Sequence, residues 1–408
     1  MTNLNIKIKI SESMSSRGAQ GILEDSVIRI SQNLRTKLGL YLSEKLTFDT
    51  PSGKKVELTV GRAFKEDVER DEGICYVTET TFKLINVENT YKHKIEPVKG
   101  ITLGCDPELF LTDNAGNLLR AHMFLNKWGD VGHDGILAEF RPKPSTNVDE
   151  LTYTIYGLIK KLRRKINYNT QGYHPENLKL YSASHKQNST AGFHLHYGLP
   201  PAILGRKPDT VALMQQVVKV MDYYVGIPSI ILEGTEDSKR RANMFSGYGK
   251  PSDFRLDGRT LEYRVPGGAM LKHPVLTRGL LALGATVMED IISKIKITTN
   301  NYLHLYWMQQ EERLRETYPM LPSSYIIQQA LCAPTVIGAR SHLENIYNDI
   351  QKMEGFKKRK EALTEFFSAI ENNTQFSNDI ELNWRRIYEH QLEICKSSDP
   401  EAFNSARG

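Results

Sequence analysis

The chain is poor in several things, and each shortage excludes something. Its 408 residues hold four cysteines, Cys75, Cys105, Cys332 and Cys395, far apart and in no CxxC pair. That leaves neither a disulfide framework nor a zinc knuckle, and a reducing cytoplasm is the simplest expected setting. No apolar run approaches the roughly 18 residues that a membrane span needs. The stretch Met1 to Ile10 alternates Ile with Asn and Lys where an export signal would place a basic cap and an apolar core, so neither export nor a membrane partner is expected. Charge is nearly balanced: 53 Lys+Arg against 48 Asp+Glu give +5, too little to argue for a nucleic-acid polymer as partner. Internal repeats are lacking. Wholesale disorder is excluded by 40% hydrophobic and 25% charged residues, and the length calls for two or three units.

Residues 1–98 carry short alternating runs, Asn5 to Ile10 and Lys55 to Val60, between polar segments, which predicts a mainly β module. A helix is expected over Ile22 to Leu40, and Pro97-Val98-Lys99-Gly100 reads as a joint. From 99 to 300 strands alternate with amphipathic helices. Leu151, Ile155, Leu158, Ile159, Leu162 and Ile166 keep helical spacing, as do Val211, Met214, Val217, Val218, Met221 and Val225. A third helix is predicted from Pro274 through Leu276, Leu280, Leu283, Val287, Ile291 and Ile295. Residues 301–408 form a charged helical region ending in a frayed tail from Ser397. The basic runs Lys160 to Lys165 and Lys357 to Lys360 read as solvated helix faces.

The informative pattern lies in four strand-like segments of the middle region. They are Gly104 to Leu111, Asp134 to Pro142, Gly192 to Gly198 and Thr260 to Pro266. Side chains two apart on a strand share a face. Asp106 with Glu108, Glu139 with Arg141, His194 with His196, and Glu262 with Arg264 therefore point the same way within each strand. Phe193, Leu195, Tyr197, Leu261, Tyr263 and Val265 point the other way, toward helices. One antiparallel sheet built of these strands would present carboxylates, imidazoles and guanidiniums on its open face. Carboxylates with a histidine suit Mg²⁺ or Mn²⁺, and the guanidiniums of Arg141 and Arg264 suit phosphate oxygens. The bland alternative, a solvated sheet face, suits any one pair better than it suits all four.

Between the third and fourth strands, Arg240 to Lys250 followed by Asp253-Phe254-Arg255 is polar, basic and glycine-containing. Arg241, Lys250 and Arg255 are placed to grip a polyphosphate or a carboxylate, with a solvated basic loop as the alternative. His133 and Asp134 read as part of a turn, with Asp134 on metal or substrate as the alternative; His122 and Trp128 read as core or turn packing, with contact to a substrate as the alternative; and Cys105 reads as a buried thiol more than as a nucleophile.

In this order, GCDPELFL, DGILAEFRP, GFHLHYG, R…YG…DFR and LEYRVPGG resemble the carboxylate–amine ligases of the glutamine synthetase and glutamate–cysteine ligase superfamily. More narrowly, they resemble the type 2 amidoligase-like proteins of tailed phages related to phiEco32. The resemblance covers about residues 100–300, and it implies an α+β fold with a glutamine synthetase-like curved antiparallel sheet backed by helices. It implies Glu108, Glu139, Glu262 and His194 as metal ligands, and Arg264 as a phosphate-binding arginine. His196 would lie behind the ligands or face the substrate. The second strand departs from the family's acidic pairs by joining Glu139 to Arg141.

The implied activity is an ATP- and Mg²⁺-dependent (or Mn²⁺-dependent) ligation of a carboxylate to an amine through an acyl phosphate, in the host cytoplasm if phage-encoded. Arg241, Arg255 and Arg264 would neutralise the transferring phosphoryl group, Arg141 and Lys250 would assist in holding the nucleotide, and a carboxylate or His196 would take the amine's proton. A metal-dependent hydrolase and a non-catalytic phage structural or interaction protein are the alternatives. Neither substrate is identified by the sequence, and an oligomer is compatible with it.

Overall fold

The computed structural model describes residues 4–11, 27–38, 45–49, 55–70, 74–85, 91–93, 101–199, 207–242, 249–257, 260–294, 314 and 316–385. The chain divides into two compact units. The first comprises 1–100 with 199–210 and 297–301; the second comprises 101–198, 211–296 and 302–408. The boundary after Gly100 coincides with the Pro97–Gly100 stretch, and the second unit takes in the C-terminal helices together with the middle region.

The first unit has strands β1 (Leu4–Ile10), β2 (Val27–Ile30), β3 (Lys45–Asp49), β4 (Lys55–Arg62), β5 (Ile74–Val77) and β6 (Tyr91–His93), in the sheet order β3-β4-β2-β5-β1-β6. The sheet is mixed: β1–β5 and β2–β4 are parallel pairs and the others antiparallel. Short helices span Gln32–Leu38, Lys65–Arg70 and Glu79–Ile85 and accompany the six strands. The core is Ile8, Ile28, Ile30, Phe48, Leu58, Val60, Cys75 and Val77.

The helix expected over Ile22 to Leu40 is corrected within the described residues. Val27-Ile28-Arg29-Ile30 is a strand, because its β-branched alternation buries Ile28 and Ile30. The helix starts only after Ser31, whose hydroxyl caps the Leu34 N–H at 3.2 Å.

The second unit contains β7 (Thr102–Thr112), β8 (Leu118–Leu119), β9 (Val131–Asp134), β10 (Leu137–Phe140), β11 (Lys179–Tyr181), β12 (His185–Lys186), β13 (Ser189–Thr190), β14 (Phe193–Gly198), β15 (Phe254–Asp257) and β16 (Thr260–Tyr263). Its main sheet runs β15-β16-β14-β7-β10-β9, antiparallel throughout, with β8 and β11 paired to the far end of β7. β12 and β13 form a separate hairpin.

One face of this sheet is apolar: Phe193, Leu195, Tyr197, Leu261, Tyr263 and Ala138 have no exposed surface. The helix Pro274–Lys294 lies against it where Gly284 leaves room for Leu195 and Tyr197. The helix Val148–Tyr168 buries all six residues of its predicted stripe. It starts at Asn147, whose side chain accepts from the N–H groups of Asp149 and Glu150 at 2.8 and 3.2 Å.

The helix Lys207–Met221 passes into one π turn, Asp222–Gly226, before Ile227–Ile230. Val211, at its start, is 43% exposed, although the spacing placed it on the buried stripe. Ile295 and the tail from Ser397 lie outside the described residues. No helix among the described residues is long and apolar enough to cross a membrane.

Candidate active site

The strand registers decide which side chains meet. Asp106 on β7 pairs with His194 on β14, His196 pairs with Glu262 on β16, and Glu262 pairs with Arg255 on β15. On the other side of β7, Glu108 pairs with Glu139 on β10, which pairs with Gly132 on β9. Directly paired residues share a face, so five strands place all these groups on one surface.

At the centre stands Asp106. His194 Nδ1 lies 3.2 Å from its Oδ1, and His196 Nε2 lies 3.1 Å from its Oδ2. His194 Nδ1 is also 3.7 Å from Glu262 Oε1. One ligand atom each from Asp106, His196 and Glu262 falls within 4.8 Å of the others, a span that a single cation can bridge. Asp106 Oδ1, His194 Nε2 and His196 Nε2 are buried and complete no hydrogen bond of good geometry, the imidazoles reaching Asp106 at ion-pair distance but out of alignment. Buried polar atoms so left mark a missing partner, and two carboxylates with an imidazole form a donor set that fits a divalent cation. Burial opposes charge on Asp106, but the two imidazoles outweigh it and hold its carboxyl well below the ordinary carboxylate range. Burial likewise opposes charge on His196, and Asp106 reverses the balance, raising its pKa.

Arginines surround Glu262. Arg255 donates from Nε to Glu262 Oε2 at 2.6 Å, and its side chain is 63% exposed. Arg264 Nε lies 3.3 Å from Glu262 Oε1, and its Nη1 is 3.7 Å from Asp253 Oδ1. Arg255 and Arg264 thus flank the same carboxylate, one toward solvent and one beneath. Glu108 is buried and accepts from the Gly192 N–H at 2.6 Å; burial raises its pKa, against the pull of His194 and Gly192. Glu139 is ion-paired to Arg141, which also donates to the carbonyls of Lys127 and Gly129, each at 3.2 Å.

The structure therefore brings Glu108, Glu139, His194 and Glu262 to one face, yet the cation-sized cluster is Asp106, His196 and Glu262. Lys250 is exposed on the loop 249–253, and Tyr248 lies outside the described residues. Arg241 is a correction. It is 1% exposed, ion-paired to Glu233, and donates from Nε to the Leu331 carbonyl at 2.5 Å, because a buried guanidinium needs a carboxylate and Glu233 supplies one.

Its neighbour Arg240, which the sequence did not single out, donates to the carbonyls of Val265 at 2.7 Å and Arg264 at 3.0 Å, and the charges of Glu108 and Asp253 favour its cationic form. Only the phase of the short helix Lys239–Ala242, set by tertiary packing, tells the two arginines apart. Cys105 is buried, with its thiol pKa raised by burial and by Asp106, so it serves as core. Asp134 closes the β9–β10 hairpin beside Gly135, whose φ is +56°.

A second group behind the sheet was invisible in the sequence. Asp222, in the π turn, accepts from Tyr263 Oη at 2.9 Å, from the Ser252 N–H at 2.7 Å and from Ser252 Oγ at 2.9 Å. Next to Ser252, Asp253 accepts the Gly249 N–H at 3.1 Å through its side chain and the Arg264 N–H at 3.0 Å through its carbonyl. The π turn thereby anchors the loop that carries Asp253 to Arg264.

A mixed α+β unit whose antiparallel sheet gathers carboxylates, imidazoles and guanidiniums on one face, with a helical C-terminal region, is the class of protein defined by these observations. The family model described as phage phiEco32-like COOH-NH2 ligase type 2 matches residues 103–324, more than half of the chain, and the chain belongs to that family. Solved structures with some similarity include a bifunctional glutathione synthetase from Pasteurella multocida, at 12% identity and a TM-score of 0.35, covering 71% of this chain and 49% of that one. This chain thus spans about half the length of that synthetase. A glutamine synthase homolog aligns at 10% identity and a TM-score of 0.36, over 95% of this chain and 99% of its own. A glutamate–cysteine ligase from Francisella tularensis aligns at 10% identity and a TM-score of 0.25, over 72% of this chain and 98% of its own. None of these superpositions is close enough to carry an argument about mechanism. No curated protein matches the chain.

Proposed function

We propose that this chain joins a carboxylate to an amine at the expense of ATP, with Mg²⁺ or Mn²⁺ held at Asp106, His196 and Glu262. The observation that carries this reading is the convergence of that cation-sized trio with two arginines on Glu262. When bound there, the metal would neutralise phosphate charge during phosphoryl transfer. The imidazole in the trio favours Mn²⁺ more than an all-oxygen set would.

Activation of the carboxylate as an acyl phosphate turns a poor leaving oxygen into a good one, and the chain's task is then to orient and to neutralise. Arg255 and Arg264 supply positive charge at the phosphoryl position from two sides of Glu262. His194 steadies Asp106, and Glu139 with Arg141 closes the β9 side of the face. His196, as a ligand of the metal in this reading, is not free to take the amine's proton. Glu108, whose burial favours the protonated form, is the better acceptor for the amine's proton.

Calorimetry of ATP with and without Mg²⁺ tests the reading, on the wild type and on Glu262→Gln and His196→Ala, with folding checked by circular dichroism. Mg²⁺-dependent binding that both substitutions abolish in folded protein is expected. A wild type that binds no ATP would overturn the reading. ADP release independent of any amine would point to hydrolysis instead.

A further inference from the structure

We infer that Trp128 is the stacking platform for the nucleobase of the nucleotide, an inference that rests on the ATP-dependent reading above. Trp128 is 76% exposed, a large ring open to a ligand. It stands on the segment leading into β9, and two features put that segment on the same face of the sheet as Glu139 and Asp106. A Cβ at Gly132, the residue paired with Glu139, would lie 2.6 Å from the Lys127 carbonyl oxygen and 3.1 Å from that of Asn126. The backbone before and after Trp128 is fixed by Arg141, which donates to the carbonyls of Lys127 and Gly129 while its other nitrogen pairs with Glu139.

The main chain at Trp128 is therefore held down on the site face by a side chain of the site itself, and its indole is left to solvent. Lys127 places its ammonium 5.1 Å from the ring centroid, which enriches the platform with positive charge. β9 lies two strand spacings, about 10 Å, from β7, and phosphates held by the trio and by Arg255 and Arg264 lie over β7, β14 and β16. A nucleoside triphosphate laid across the strands brings its planar base to the β9 edge. An indole face offers every base a stacking partner without reading its edges, so the platform selects for a nucleotide and discriminates little between bases.

The test uses the full chain with Mg²⁺ and two probes, ATP and inorganic tripolyphosphate, by calorimetry and by intrinsic fluorescence. Trp128→Ala is expected to weaken ATP about tenfold to a hundredfold and to leave tripolyphosphate unchanged, whereas Trp128→Phe retains most of the ATP affinity. The wild type's emission should change on adding ATP but not tripolyphosphate, and that change should vanish in Trp128→Phe. Trp384 is buried, with its indole N–H bonded to the Leu271 carbonyl, and cannot report a ligand by stacking. Wild-type ATP affinity in Trp128→Ala overturns the inference and leaves the ligase reading standing. So does an equal loss for both probes, which would mean that Trp128 only shapes the loop. Absence of ATP binding by the wild type sinks the ligase reading, and this inference falls with it.

Discussion

At the scale of single residues, Arg241 and Arg255 separate two meanings of a basic side chain that look alike in sequence. Both sit in one basic stretch between the third and fourth strands. Arg241 is enclosed with Glu233, so Arg241→Met leaves a buried carboxylate without its partner, at a cost of about 3–5 kcal/mol. Thermal denaturation should show that loss, with the ATP affinity of the remaining folded protein unchanged. Arg255 is mostly exposed on β15, and the buried Glu262 keeps Arg264 when Arg255 is removed, so the loss of this pair costs only about 1 kcal/mol. Arg255→Ala should therefore melt near the wild type and bind Mg²⁺–ATP at least tenfold more weakly. A reversal of these two outcomes would exchange the roles. The alternation of strand residues made Asp106, Glu108, Glu139, His194, His196 and Glu262 legible as co-facial, because period two needs only local geometry. Which of them meet at one cation depends on strand register: β14 slides His196 opposite Glu262, and nothing local to either strand specifies that offset.

At the scale of elements, long amphipathic helices were the legible part and irregular ones were not. Val148–Tyr168 repeats its apolar stripe over 21 residues, which outweighs any single exception. The π turn at Asp222–Gly226 has no such signature, and there a buried carboxylate holds Ser252 and Tyr263 together. Burial raises the pKa of Asp222 to about 7, against its hydrogen bonds from Tyr263 and Ser252 and with a further push from Asp253. The unfolded chain releases this proton near the ordinary Asp value while the folded chain keeps it until about pH 7. Between those limits the folded state binds more protons, so this group's contribution is full below the unfolded pKa and is lost as pH rises through about 7. Asp222→Asn cannot titrate. Thermal melts from pH 5 to 8 should show a wild type that loses stability relative to Asp222→Asn as pH increases. A difference between the two that is constant across that range would mean that Asp222 is ionised throughout.

For the molecule as a whole, the C-terminal helices decide where the sheet unit ends. Their charge suggested a region apart, yet their apolar residues are spent on the sheet's own helices. Phe366 rests against Gly279 of Pro274–Lys294, and Leu363, Phe366, Phe367 and Ile370 of the helix Glu354–Glu371 are all essentially buried. Arg359 pairs with Glu289 of Pro274–Lys294 at 2.6 Å, and Asn378 returns to Ser182 through a backbone bond of 2.8 Å. Each large apolar side chain so buried contributes about 1.5–3 kcal/mol, and marginal domains have about 5–15 kcal/mol in total. Four such side chains are therefore comparable to the whole stability of an ordinary domain. The charge that marks these helices in the sequence belongs to their outer faces, whereas the dependence of the sheet on them lies in the inner ones. A chain ending at residue 313 should consequently lose its cooperative thermal transition by circular dichroism and bind the hydrophobic dye ANS, although every site residue named above is still present. A truncated chain that melts cooperatively and binds Mg²⁺–ATP like the full chain would show that the sheet stands without these helices.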